Sequence, residues 1–261
     1  MHDGVDDAAL LAGLPGQAFA FVLVLARAGT VVMLLPGLGE VEAPATVRAG
    51  FAVALAALLL PAVLTLVPAG PVGVFGALSA LAAELFCGAV LGTLARLTAL
   101  SLGMAGAMFS YFTGLSSVLQ PDPSLGGQSA ALGRLFGLLA PVLILSTGLY
   151  QLPLSALAGS YATVPPGAWL PVGDATESVT GAVAAAFALA LRLSAPLLVA
   201  SLAWQVAMGL LARLVPQLQV YAAAAPGQIL GGLVLLGLLA SRLLEPWSEA
   251  VRASWLLLPG S

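Results

Sequence analysis

Lysine is absent from this chain of 261 residues, cysteine and histidine occur once each, and charged residues make up only 7% of it, against roughly 25% in an ordinary soluble domain. A water-soluble fold of this length would need several times more charge to cover its surface. With 61% apolar residues and a mean hydropathy of +1.09, the chain reads as an integral membrane protein. A soluble enzyme, a nucleic-acid module and a disordered scaffold are excluded.

The scarce residues remove more chemistry. His2 and Cys87 cannot between them build a zinc site, a disulfide, a Ser-His-Asp triad or a Cys-His dyad within the chain. No metal or cofactor is expected, and Cys87, inside an apolar run, reads as a buried small hydrophobe. The formal charge of -3, with no lysine, offers no basic patch for nucleic acid or anionic lipid. The opening Met1-His-Asp-Gly-Val-Asp-Asp7 is acidic where a secretory signal peptide is positive, so the first apolar segment is expected to be retained.

What is present is apolar helix, in stretches long enough to cross a hydrocarbon core. Candidate spans run from Leu10 to Leu35, from Ala49 to a Pro68-Ala-Gly-Pro71 turn, from Val72 to about Ala95, from about Ala130 to Tyr150, from about Val179 to Leu214 and from Pro226 to Leu243. About six hydrophobic helices result, in an all-α polytopic membrane fold expected to form one domain over residues 1–261. Pro196 is expected to kink or divide its helix. The stretch from Pro153 to Glu177 reads as a loop, and the Trp-containing tail after Arg242 as interfacial. Residues 97–120, rich in Gly, Ser, Met and aromatics, make a poor lipid-facing helix and suit close packing or a re-entrant cavity lining. Arg48, Arg96, Arg134 and Arg213 then fall on one side of the membrane, which the positive-inside rule makes cytoplasmic.

Few side chains can carry chemistry. Gly114-Leu-Ser-Ser117 resembles a membrane serine-protease nucleophile, but no histidine lies within the membrane to act as its base. Asp122 and Asp174 sit in expected loops, where an intramembrane aspartyl protease needs both within helices. Glu84, Arg27, Arg96 and Arg192 in or near apolar helices mark either an ion path or polar interior, or structural ion pairs and snorkelling groups. A midplane solute site near Glu84 would make the chain a small secondary permease, although no inverted repeat supports one. Gly-x-x-x-Gly spacings at Gly88/Gly92, Gly133/Gly137 and Gly227/Gly231 suit helix packing.

Four blocks carry a resemblance. The first is Arg27-Ala-Gly-Thr-Val-Val-Met-Leu-Leu-Pro36 with Pro44, Val47-Arg-Ala-Gly50 and Leu60-Pro61; the second is Glu84-Leu-Phe-Cys-Gly-Ala-Val-Leu-Gly92. The third runs from Ala105-Gly106 through Gly114-Leu115 to Pro121-Asp-Pro123. The fourth joins Ala195-Pro196 to Met208-Gly-Leu-Leu-Ala-Arg-Leu-Val-Pro-Gln-Leu-Gln-Val220 and Pro226. In this order, over roughly residues 17 to 245, the chain resembles the FliR/SctT family of type III secretion export-gate subunits. Thr163-Val-Pro-Pro-Gly167 matches that family's short loop. Gly148-Leu-Tyr150 and Phe112-Thr-Gly114 depart from its usual Gly-His and Gln-Met-Gly.

The resemblance implies a non-enzymatic subunit of a helical, funnel-shaped gate built with FliP and FliQ homologues beside FlhB and FlhA homologues. Unfolded flagellar proteins would leave the cytoplasm through it. It implies the bacterial inner membrane and the flagellar basal body as the location, with much of the chain raised toward the periplasm. The pattern does not separate a flagellar gate from that of a virulence injectisome. Met104, Gly106, Met108, Phe109, Tyr111, Phe112, Gly114 and Leu115 are expected to plug the pore, their apolar bulk sealing it and their glycines easing its displacement. Glu84, Arg213, Pro216 and Gln217 are expected to serve assembly or gating.

Overall fold

The computed structural model describes residues 3–40, 43–67, 73–114, 131–214 and 220–260, and every regular element among them is helical. Long runs of Ala, Leu and other good helix formers with few charges leave the backbone no better way to satisfy its own hydrogen bonds in an apolar setting. The helices are α1 (Asp3–Leu34), α2 (Ala45–Val63), α3 (Gly73–Phe112), α4 (Ala131–Ser146), α5 (Gln151–Thr163), α6 (Val172–Leu214) and α7 (Val220–Trp255), with a 3-10 turn at Leu64–Leu66. Proline and glycine set the boundaries. α1 stops before Pro36, where Gly37 takes a φ of +92° and the Gly39 N–H closes on the Leu35 carbonyl at 2.7 Å.

Five of these helices are long and apolar enough to cross a bilayer, and a sixth crossing results if Leu132–Ser146 and Gln151–Thr163, bent by 70°, are taken together. The all-α polytopic membrane fold expected from the sequence is therefore observed. The chain covers little of its own apolar surface: only 17% of the α2 span and 11% of the α7 span are buried within it. Phe75, Leu58, Leu238 and Leu214 stand more than half exposed. Lipid or partner chains must cover these faces, because apolar area on this scale is not left to water.

Several boundaries differ from expectation. α3 does not end near Ala95 but runs unbroken through the small-residue stretch to Phe112. The re-entrant segment expected over 97–120 is thus helix to Phe112 and a turn at Thr113–Gly114, and residues 115–120 lie outside the described residues. The Pro153–Glu177 loop shrinks to 164–171. Pro153 sits in the first turn of α5, where a missing N–H costs nothing. Pro196 does not divide α6, which continues to Leu214; one lost hydrogen bond is outweighed by long regular helix on both sides. The tail after Arg242 is helical and packed into the fold: α7 extends to Trp255, and Trp247 and Trp255 are both fully buried.

The chain divides into two compact units. The first comprises residues 1–96, 148–182 and 254–261. Its core gathers Val24, Ala28 and Val31 of α1, Ala56 and Val63 of α2, Cys87 and Leu91 of α3, and Leu157 and Tyr161 of α5. α1 and α3 approach closely at the Gly88/Gly92 spacing: a methyl on Gly88 would lie 2.6 Å from the Arg27 carbonyl oxygen, and one on Gly92 would lie 2.7 Å from Leu34 Cβ. In the same unit the 254–260 segment is fastened by Trp255, whose indole N–H donates to the Ala95 carbonyl at 3.3 Å. Gly260 meets α5 at Gly159, with no room for a side chain on either.

The second unit comprises residues 97–147 and 183–253. Here the small residues of late α3 pack against α4. A Cβ on Gly106 would stand 2.6 Å from the Leu132 carbonyl oxygen and 2.8 Å from Phe136 Cβ, and one on Gly133 would stand 3.3 Å from Ala107. Phe109 and Phe136 meet edge to face, with ring centroids 5.3 Å apart. Trp247 donates its indole N–H to Ser101 Oγ at 3.1 Å.

Candidate functional site

Among the described residues, the two fully buried charged side chains both lie in the first unit. α1 carries Arg27 and α3 carries Glu84, and both side chains are 0% exposed. Arg27 Nε donates to Glu84 Oε2 at 2.7 Å and Nη2 donates to Oε1 at 2.9 Å. This bidentate fork is the arrangement a guanidinium makes best with a carboxylate. Isolated, either charge would be prohibitive in apolar surroundings; paired and hydrogen-bonded, they can be held.

The pair then recruits other elements. Arg27 Nη1 donates to Ser160 Oγ at 3.2 Å and to the Val164 carbonyl at 3.0 Å. The Gly167 N–H donates to Glu84 Oε1 at 2.7 Å. The guanidinium carbon lies 4.3 Å from the centre of the Tyr161 ring, a cation–π contact on the face the carboxylate leaves free. Tyr161 in turn donates its hydroxyl to the Val24 carbonyl at 3.4 Å. Three helices, α1, α3 and α5, and the connection after α5 are thereby tied to one point. Cys87, one turn beyond Glu84, is buried in the hydrophobic cluster, as expected of a small hydrophobe. With its carboxylate held by three donors, Glu84 is not free to bind a solute, which removes the main support of a permease.

Arg96 makes a second, looser tie. It donates from Nη1 to the Leu34 carbonyl at 3.3 Å and lies 3.6 Å from a Glu40 carboxylate oxygen, with both side chains partly exposed. Arg192 is exposed on α6, and Arg213 is exposed in its last turn. Pro216 and Gln217 lie outside the described residues.

The residues expected to plug a pore fall in the second unit, on the last turns of α3 and, for Gly114, in the turn that follows, with Leu115 outside the described residues. They face different surroundings. Gly106 and Phe109 are fully packed, Met104, Met108 and Phe112 are half-buried, and Tyr111 is 70% exposed. Met108 accepts a hydrogen bond from Ser194 Oγ at 3.2 Å, and Gln228 donates to the Phe112 carbonyl at 3.2 Å. Beside them opens a cavity of about 560 Å³, counting its mouth, walled by Phe112, Thr113, Trp204, Gln228 and Gly232.

Sequence reasoning singled out Arg27 and Glu84 separately without joining them, and missed Ser160, Tyr161, Val164 and Gly167 as partners. One signal was available. Glu84 is the only acid inside an expected apolar span, so it needed an arginine from another span, and Arg27 is central to the one it packs against.

These features define a class: an all-helical membrane protein whose buried charges neutralise each other and whose apolar helices are built to be covered by something else. Residues 18–254 match the family described as "Bacterial export proteins, family 1". The chain is 34% identical over 236 residues to the flagellar biosynthetic protein FliR of Caulobacter vibrioides, covering 90% of this chain and 94% of that one. It is 27% identical to the FliR proteins of Bacillus subtilis, over 83% of this chain and 84% of the relative, and of Escherichia coli, over 86% and 85%. The chain belongs to the FliR family of bacterial export proteins.

Proposed function

We propose that the chain is a structural and transport subunit of the flagellar type III protein export gate, contributing part of the channel through which unfolded flagellar proteins leave the cytoplasm. The observation that carries this function is the family match over residues 18–254, in a chain whose apolar helices are so little covered by their own fold. The relatives' names favour a flagellar gate over an injectisome. It works as one domain over residues 1–261 in the inner membrane at the flagellar basal body, raised in part toward the periplasm. FliP and FliQ homologues cover its exposed faces, with FlhB and FlhA homologues alongside. It performs no catalysis and holds no cofactor. The late turns of α3, from Met104 toward Leu115, plug the resting pore, and Glu84, Arg213, Pro216 and Gln217 serve assembly or gating.

Co-expression tests this. The chain alone is expected to aggregate in mild detergent and to be recovered as a defined complex only with FliP and FliQ homologues. Arg213→Ala is expected to reduce recovery of the complex more than Arg252→Ala, both arginines being exposed in the chain by itself. A monodisperse, stable monomer that ignores both homologues would overturn the proposal.

A further inference from the structure

The connection between α5 and α6 sits directly on the buried ion pair, and its composition decides how it can do so. Val164 offers its carbonyl to Arg27 Nη1 and Gly167 offers its N–H to Glu84 Oε1. Between them stand Pro165 and Pro166, which have no N–H, so Gly167 is the first donor the chain presents after Val164. Gly167 reaches the carboxylate with a φ of +81°, and a Cβ there would press on Ala80 Cβ at 3.2 Å. The outer end is held by Trp169, which donates to Ser79 Oγ at 3.2 Å and lies against Phe86 with ring centroids 6.1 Å apart.

We propose that Val164–Gly167 is a lid over the Arg27–Glu84 pair, able to lift while the pair stays formed. The two charges satisfy each other through the bidentate fork, so the lid is attached by one backbone acceptor and one backbone donor. Pro165 is exposed and Pro166 buried, which puts the pair one residue layer below the surface. Water can replace both lid contacts once it reaches them, without separating the ions. The paired prolines stiffen the segment, so Val164 and Gly167 leave their partners together, as one piece. Lifting also opens the hydrophobic cluster beneath, because Val164 packs on the cluster that contains Cys87, Leu157 and Tyr161. The lid belongs to this chain's own fold and requires no export partner.

Cys87 is the sole thiol of the chain and reports the lid without an engineered label. The experiment follows the rate at which N-ethylmaleimide modifies Cys87 in the full-length chain within its native membranes, with recovery of the assembled complex as the check that each variant folds. Wild type is expected to react slowly. Gly167→Ala strains the left-handed backbone of the lid and presses Ala80, and is expected to accelerate labelling tenfold or more, whereas Gly106→Ala, which strains the second unit, is expected to leave it unchanged. Trp169→Ala, which frees the outer end alone, is expected to give a smaller acceleration and serves if Gly167→Ala does not fold. Wild-type labelling rates in a folded lid variant would overturn the proposal. So would an equal acceleration from Gly106→Ala, since that reports general loosening.

Discussion

Arg27 and Glu84 are separated by 57 residues in sequence and meet through two charge-assisted hydrogen bonds where neither side chain touches solvent. The cost of breaking such a pair lies mostly in the partner left behind. Removing one member of a buried pair typically destabilises by about 3–5 kcal/mol, whereas replacing both by apolar residues of similar volume is often nearly neutral. Arg27→Met and Glu84→Met alone are therefore each expected to lower sharply the melting temperature and yield of the complex purified with FliP and FliQ homologues. The double variant is expected to be more stable than either single one, its residual loss coming from the abandoned Ser160 hydroxyl, Val164 carbonyl and Gly167 N–H. Strict additivity in thermal melts would show that the two residues act independently.

Glycine positions separate into those that close contacts and those that do not, and two of them make a matched pair of substitutions. A methyl on Gly106 meets the Leu132 carbonyl oxygen at 2.6 Å, whereas one on Gly137 meets nothing within 4 Å. Gly106→Ala is expected to push α3 from α4 and cost about 1–3 kcal/mol, as overpacking does. Gly137→Ala is expected to be neutral or to stabilise by up to about 1 kcal/mol through the helix entropy it saves. Melting temperatures of the two variants in the same detergent check the sign at each site.

The same glycines show what the sequence could and could not reveal. Hydropathy finds apolar helices because backbone satisfaction in lipid leaves few alternatives, and the family resemblance carried by the blocks around Arg27, Glu84 and Arg213 is upheld over residues 18–254. Helix ends were less legible. Residues 97–120 read as suiting either close packing or a re-entrant lining, and Gly103 and Gly106 let α4 approach a helix that is continuous to Phe112. Trp247 and Trp255 read as interfacial because an amphipathic ring suits a membrane surface. Their N–H groups instead find Ser101 and the Ala95 carbonyl inside the fold. The lid contacts of Val164 and Gly167 were invisible for a related reason: both use backbone atoms, which leave no signature in side-chain identity beyond the glycine itself.

The proposed plug makes a sharper prediction once its residues are placed. Phe109 is fully buried against Phe136 and Gly106 is enclosed by α4, so these two hold the segment to its own unit. Tyr111, 70% exposed and edge to face with Phe112 at 5.9 Å, presents apolar bulk outward and is the residue free to fill a lumen. If the segment seals the resting gate, the two faces separate by function. Tyr111→Ala is expected to leave the assembled complex intact while raising leak of ions or small solutes across the membrane. Phe109→Ala removes a packed ring and is expected to destabilise by about 3–5 kcal/mol, reducing recovery of the complex first. Deleting Gly106 to Ser116 should combine the effects, with high leak from whatever complex survives. Leak through the assembled gate, measured in vesicles or by growth sensitivity to small toxic solutes, decides the matter. A complex that assembles normally with Tyr111→Ala and with the deletion, and stays as tight as wild type, means that these turns of α3 pack against neighbours and close nothing.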